Sequence, residues 1–177
     1  MCSPILLLRI VGTRNGTIAR RELPTYPDNC HWACQAKAWF DENIMLEWVE
    51  KVLKPYLVSA PPYVVPLILL NSFKVHMLRS AVEAIQSLGA EVEFIPPGCT
   101  GLVQPVDVGF NKPFKAKLRA QFSEWMMRQD PDQPTPAASC RDVAGWIVEA
   151  EREVRDETIR NAWKKTDFSY FPNEPKE

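Results

Sequence analysis

Apolar positions along this chain change their spacing several times, and each change marks a different kind of element. Between residues 41 and 57, Ile44, Met45, Trp48, Val49, Val52 and Tyr56 recur on one stripe, the spacing that predicts an amphipathic helix. Asp41 is placed to cap that helix, and Phe40 just before it to staple onto Met45. Residues 64–70 are then continuously apolar, which predicts a strand covered on both faces in a parallel sheet. Val75, Leu78, Val82, Ile85 and Leu88 return to helical steps, with Gly89 placed as their C-terminal stop. Residues 91–95 read as a short strand closed by Pro96-Pro97-Gly98. Strand, helix and strand in this order predict a βαβ unit with a right-handed crossover.

Upstream, residues 3–11 carry a β-type run that ends at Gly12. Residues 12–35, with Asn15-Gly16, Pro24 and Pro27, predict turns and irregular loop with room for one short strand. Downstream, Phe110, Phe114, Leu118, Phe122 and Trp125 mark a third amphipathic helix. Pro113 falls near its first turn, where a missing N–H costs little. Residues 130–136 are Pro-rich. Val143, Trp146, Ile147, Ala150 and Val154 stripe one further helix, and Ile159, Ala162 and Trp163 another, behind a cap near Asp156. The large aromatics (Trp48, Phe114, Phe122, Trp125, Trp146 and Trp163) are expected in the core rather than as base-stacking platforms. The chain thus divides into an α/β part over residues 1–128 and a Pro-rich linker with C-terminal helices over residues 129–177.

Charge narrows the partners. The 177 residues include 21 basic and 22 acidic ones, a formal charge of −1. Nucleic acid cannot then be held by bulk positive charge, so any such contact needs a local patch. Lys112, Lys115, Lys117 and Arg119 supply one, and Lys112, Lys115 and Arg119 share a helical face away from the Phe stripe. Arg160, Lys164 and Lys165 form a weaker second cluster. With 46% apolar and 24% charged residues, disorder of the whole chain is excluded. The longest apolar stretch, residues 61–70, is half the roughly 20 residues a spanning helix needs, so no membrane partner is expected. Five scattered Cys do not read as a disulfide framework. Cys30-His31-x-x-Cys34 holds three possible zinc ligands, but the chain has no second pair beyond it, and ordinary thiols are the expected reading.

In α/β sheets, chemistry collects at the C-terminal ends of parallel strands. Two polar clusters fall there: Asn71-Ser72 after the apolar run, and Gln104-Pro105-Val106-Asp107 before the third helix. Spacing alone makes Asn71 a turn residue and Asp107 a helix cap favoured by the helix dipole.

The residues between 67 and 117 carry more than spacing. Leu-Leu-Asn-Ser-Phe-Lys-Val-His, then Glu-Val-Glu-Phe-Ile-Pro-Pro-Gly-Cys-Thr, then Gln-Pro-Val-Asp-Val-Gly-Phe-Asn-Lys-Pro-Phe-Lys resemble the DDE superfamily endonuclease domain of pogo-like transposases, the branch that includes the Jerky and centromere-protein-B relatives. Lys37-Ala38-Trp39 and the closing run from Thr158 to Thr166 are similar to the same family, in the same order. The resemblance implies an RNase H-like mixed sheet flanked by helices, a nuclear location, DNA as partner, and Mg or Mn held by three acids. Such cations need oxygen ligands, and a pair of them activates water and steadies the leaving oxygen of a phosphodiester. Asp107 matches the family's third acid. Lys74 and His76 match its pattern after the second acid without a firm role.

The chain departs from the pattern twice. The second acid position is Asn71, a carboxamide; a unit charge about 4 Å from a divalent ion is worth roughly 8 kcal/mol at an effective dielectric near 20, before dehydration. The first acid lies on a strand upstream of the segment matched by residues 4–12, and Asp28, the nearest substitute, sits in a loop-like Tyr-Pro-Asp-Asn setting. The expectation is a DNA-binding domain without catalysis, missing its first strands, with one edge of the strand at residues 64–70 left for a second copy or a strand-donating partner. The alternatives are an active metal-dependent endonuclease completed by another chain or exon, and a protein-interaction module.

Overall fold

In a computed structural model the described residues are 8–10, 16–28, 30–35, 37, 39–61 and 63–166. The expectations that touch Cys2, residues 3–7 and 11–15, Ala38 and Pro62 lie outside them. Two parallel ladders are present among the described residues. Leu8–Ile10 (β1) pairs with His31–Ala33 (β2), and Leu67–Asn71 (β3) pairs with Glu91–Ile95 (β4), with Leu67 opposite Glu91 and Asn71 opposite Ile95. Seven α-helical segments accompany them among the described residues: α1 Glu42–Trp48, α2 Lys54–Val58, α3 Arg79–Gln86, α4 Thr100–Val103, α5 Asn111–Met127, α6 Cys140–Arg152 and α7 Asp156–Lys164. This mixed α/β arrangement agrees with the RNase H-like class.

Asp41 caps α1 as its sequence suggests, its Oδ1 accepting from the Ile44 N–H at 3.0 Å. The helix over residues 42–58 is not uniform, and proline explains why. Pro55 has no N–H for the Lys51 carbonyl, and its ring crowds that oxygen. One wider turn, Val49–Leu53, relieves the conflict, and the Lys54 N–H reaches five residues back to the Val49 oxygen. The same device precedes Pro113. Val106–Phe110 forms a wider turn, and the Asn111 N–H donates to the Val106 oxygen. The segment carrying Asp107 is therefore shaped by a proline six residues downstream.

Met45, Val49 and Leu53 meet Ala81, Ile85 and Ala90 in a buried cluster, and Phe40, Trp48, Ile68, Leu70 and Val92 close over it. Ile68 and Leu70 alternate onto this side of the ladder, as a period of two requires. The expected strand at 64–70 is corrected here. It begins only at Leu67, because Pro66 cannot donate to a ladder, although its carbonyl still accepts from the Glu91 N–H at 2.8 Å. Nor is it covered on both faces, since Val64, Val65 and Leu67 are all exposed. Among the described residues β3 has a strand neighbour on one edge only. α3 starts at Arg79, so Val75 and Leu78 pack from the turns before it. Gly89 ends the connection with φ +79, a conformation that favours glycine.

The C-terminal helices pack onto α5 and the turn before it. Trp125 and Trp146 meet at 5.8 Å, the Gln121 Nε2 donates to the Trp146 carbonyl at 3.4 Å, and Lys117 bridges to Glu153 at 2.7 Å. Ser139 caps α6 by accepting from the Asp142 N–H at 3.0 Å. For α7 the cap position is Arg155, whose side chain makes no capping hydrogen bond, and Asp156 lies in the first turn, where its charge favours the helix. Gly109 and Ala162 form the contact between α7 and the Asp107 segment.

Candidate functional site

β3 ends on Asn71, where the chain enters a tight polar turn. The Asn71 Oδ1 accepts from the Phe73 N–H at 3.3 Å and lies 2.8 Å from the His76 Nδ1, which also lies 3.2 Å from the Asn71 backbone oxygen. A side chain that binds its own following backbone is the physical reason Asn suits such turns. Phe40 and Phe73 stand edge-on to the His76 ring at 5.7 and 5.4 Å. Burial holds the His76 pKa below the usual histidine value, partly opposed by the hydrogen bond to the Asn71 backbone. Ser72 ties the two strand ends together, its hydroxyl donating to the Ile95 carbonyl at 2.5 Å.

From the end of β4 the chain turns through Gly98, at φ +80, and passes α4 to Gln104. The Gln104 carbonyl accepts from the N–H groups of Asp107 and Val108 at 3.0 and 2.9 Å. Its side-chain Oε1 is a buried acceptor with no partner among the described residues. Asp107 is exposed in the first turn of the widened segment, and its Oδ1 accepts from the Asn111 Nδ2 at 2.6 Å. Asn71 thus closes one strand of the parallel ladder and Asp107 follows the other beyond α4, each already engaged within its own segment.

A divalent cation of the kind implied by the DDE resemblance needs several hard oxygen donors, with anionic ones foremost. Asp107 offers a carboxylate; Asn71 offers a neutral oxygen occupied by His76. Among the described residues, no three His, Cys, Asp or Glu side chains converge to hold a metal ion. This donor set does not fit a two-metal centre. Asp28 is exposed in a turn, as its Pro-Asp setting suggests. His31 turns its Nε2 to Glu47 on α1 at 3.0 Å.

The basic residues of α5 separate into two groups. Lys112, Lys115 and Arg119 are exposed and form no ion pair among the described residues. Lys117 faces α6, where Glu153 takes its charge, so it belongs to the helix packing rather than to the open face. Glu124, the acidic residue of α5, pairs with Arg128 at 3.7 Å. In the second cluster Arg160 and Lys164 have partners of their own.

One exposed ring escapes sequence reasoning. The apolar stripe puts Phe122 in the core with its neighbours, yet it is 46% exposed. The available signal is its register: it also falls three residues after Arg119 and seven after Lys115, at the border of the basic face.

The sequence pattern of the DDE superfamily endonuclease family matches residues 5–163 of this chain. Two curated relatives are both named "Pogo transposable element with KRAB domain". The one from Homo sapiens is 26% identical over 148 residues, and the one from Mus musculus 25% identical over 148 residues. Each alignment covers 81% of this chain and 24% of the relative, so the chain spans about a quarter of the length of these relatives. No solved structure matches it. No helix among the described residues is long and apolar enough to cross a membrane. With the strand-end motifs, the Gln104–Asp107 turn and the closing helix in the family's order, the chain belongs to the DDE superfamily endonucleases, where it is similar to the pogo-like members.

Proposed function

We propose that this chain is a DNA-binding domain derived from a pogo-like DDE transposase, working in the nucleus without hydrolysing its ligand. The observation that carries the reading is the triad Lys112, Lys115 and Arg119, without an ion pair among the described residues, on an exposed face of α5 that begins five residues beyond Asp107, in a chain of net charge −1. Three cations on one face attract the phosphate backbone and release its counterions, which gives affinity that falls with salt and reads no base. The absence of hydrolysis rests on Asn71. Its carboxamide brings no charge to the second acid position, and its oxygen is committed to His76.

The test is retention of labelled duplex DNA over a salt series, beside a plasmid-nicking assay with Mg or Mn. Retention that falls linearly with the logarithm of salt, lost when Lys112, Lys115 and Arg119 are changed together to Gln, supports the reading. Metal-dependent nicking that disappears in Asp107→Ala would replace it with the active-endonuclease reading. Salt-insensitive behaviour with no DNA retention would leave the protein-interaction reading. Among the described residues β3 has a strand neighbour on one edge only, which bears on assembly: a strand from a second copy or from another part of the protein would complete the other edge. Sedimentation at several concentrations tests the second-copy form.

A further inference from the structure

We infer that Phe122, backed by Trp125 and Trp146, is a stacking platform for an unpaired base, so that the basic face of α5 selects single-stranded over duplex nucleic acid. The inference rests on the DNA-binding reading above and sharpens it. Phe122 lies 5.9 Å from Trp125 in a stacked pair at 27° and 6.1 Å from Trp146, edge-on at 76°. Trp125 and Trp146 are themselves partly buried and fixed against each other. Gln121 and Gln129 donate to the backbone carbonyls of Trp146 and Trp125 at 3.4 and 2.8 Å. The ring thus rests on one side against the aromatic pair, yet the residue is 46% exposed.

Position decides what such a ring can meet. Residues three and four apart on a helix are surface neighbours, so Lys115, Arg119 and Phe122 form one continuous row, with Lys112 a turn above. From Lys112 to Phe122 the row runs about 15 Å along the axis. An apolar protein segment would meet a row of cations that have no ion-pair partner among the described residues, whereas a polynucleotide brings phosphates for the cations and a π-face for the ring. Within a duplex, both faces of every internal base are covered by neighbours. Only an unstacked base can lie on Phe122 while its phosphates reach Arg119 and Lys115.

The experiment measures binding of the full chain to a labelled oligothymidylate and to a duplex of equal length, at one salt concentration, with tryptophan emission followed in parallel. Preference for the single strand, quenched emission, and a loss of about tenfold in Phe122→Leu, the order expected for one stacked base, are the expected results. Phe122→Trp should restore the affinity, and duplex binding should not move in either variant. Thermal melts followed by circular dichroism confirm that both variants fold. Single-strand affinity unchanged in Phe122→Leu overturns the platform, while the charge-based reading survives if the triple Gln variant still loses binding. If neither oligonucleotide binds, both readings fall. If Phe122→Leu abolishes self-association and leaves oligonucleotide binding intact, the ring is a contact between copies and the inference is wrong.

Discussion

Gly109 and Ala162 touch so closely that a β-carbon at position 109 would overlap the Ala162 side chain and crowd its α-carbon at 3.1 Å. Gly109 belongs to the Gln-Pro-Val-Asp-Val-Gly-Phe run, and Ala162 to the closing helix more than fifty residues later. Two family motifs that look independent in the sequence are therefore one packing unit, and α7 helps fix the turn on which Asp107 stands.

Gly109→Ala is accordingly expected to destabilise the chain by about 1–3 kcal/mol, the usual cost of forcing extra volume into a packed contact. The obstacle includes backbone, so a rotamer change cannot relieve it. Urea midpoints check this, and combining the change with Ala162→Gly should recover part of the loss.

Leu53 has no exposure to solvent at the centre of the α1–α3 cluster. Its replacement by Ala should cost about 2–5 kcal/mol, as transfer and cavity terms add. A change at exposed Val58, on the same helical run, should fall within about 0.5 kcal/mol. The same unfolding titration reads both.

His76 gives stability a pH dependence of definite sign. Burial keeps its folded-state pKa below the ordinary value, so the unfolded chain takes up a proton first as pH falls. The contribution is complete above the unfolded pKa of about 6.5 and is lost as pH drops from there through the folded pKa. Unfolding midpoints at successive pH values should decline over that window, and His76→Gln should flatten the decline. Asn71→Asp puts a carboxylate against the His76 Nδ1, which raises the histidine pKa and weakens or reverses the slope. Histidine proton shifts in NMR spectra would show the change directly.

Gln104 carries a buried acceptor without a partner among the described residues, and such a group has lost its water for no return. Gln104→Met, which keeps the length and removes the oxygen, should leave the melting point unchanged or raise stability by up to about 1 kcal/mol. A clear fall in stability would mean that the carboxamide has a partner in solution.

The salt slope of duplex retention gives a separate reading of α5. Three phosphate contacts contribute about 2.7 to the slope of log K against log salt, and the triple Gln variant of Lys112, Lys115 and Arg119 should lose that amount. Lys117→Gln breaks the bridge to Glu153 and should leave the slope nearly unchanged.

By itself the sequence determined what local chemistry dictates. The Asp41 cap, the stop at Gly89, the strand at Glu91–Ile95 and the stripe of α5 come from propensities and periods that act within a few residues. The motifs at Asn71 and at Gln104–Asp107 were legible for the same reason, since each is a short run ending or opening an element. Only the tertiary structure decided which side chains have partners. Lys117 and Arg119 sit on one helix and look equivalent, yet α6 brings Glu153 to the first and nothing to the second among the described residues. Phe122 shares the apolar period of Phe114 and Leu118, but the helix that should cover it supplies Trp146 to one part of the ring and leaves the rest open. Periodicity specifies the face a residue occupies; how far a neighbouring helix extends across that face depends on contacts between segments distant in the chain.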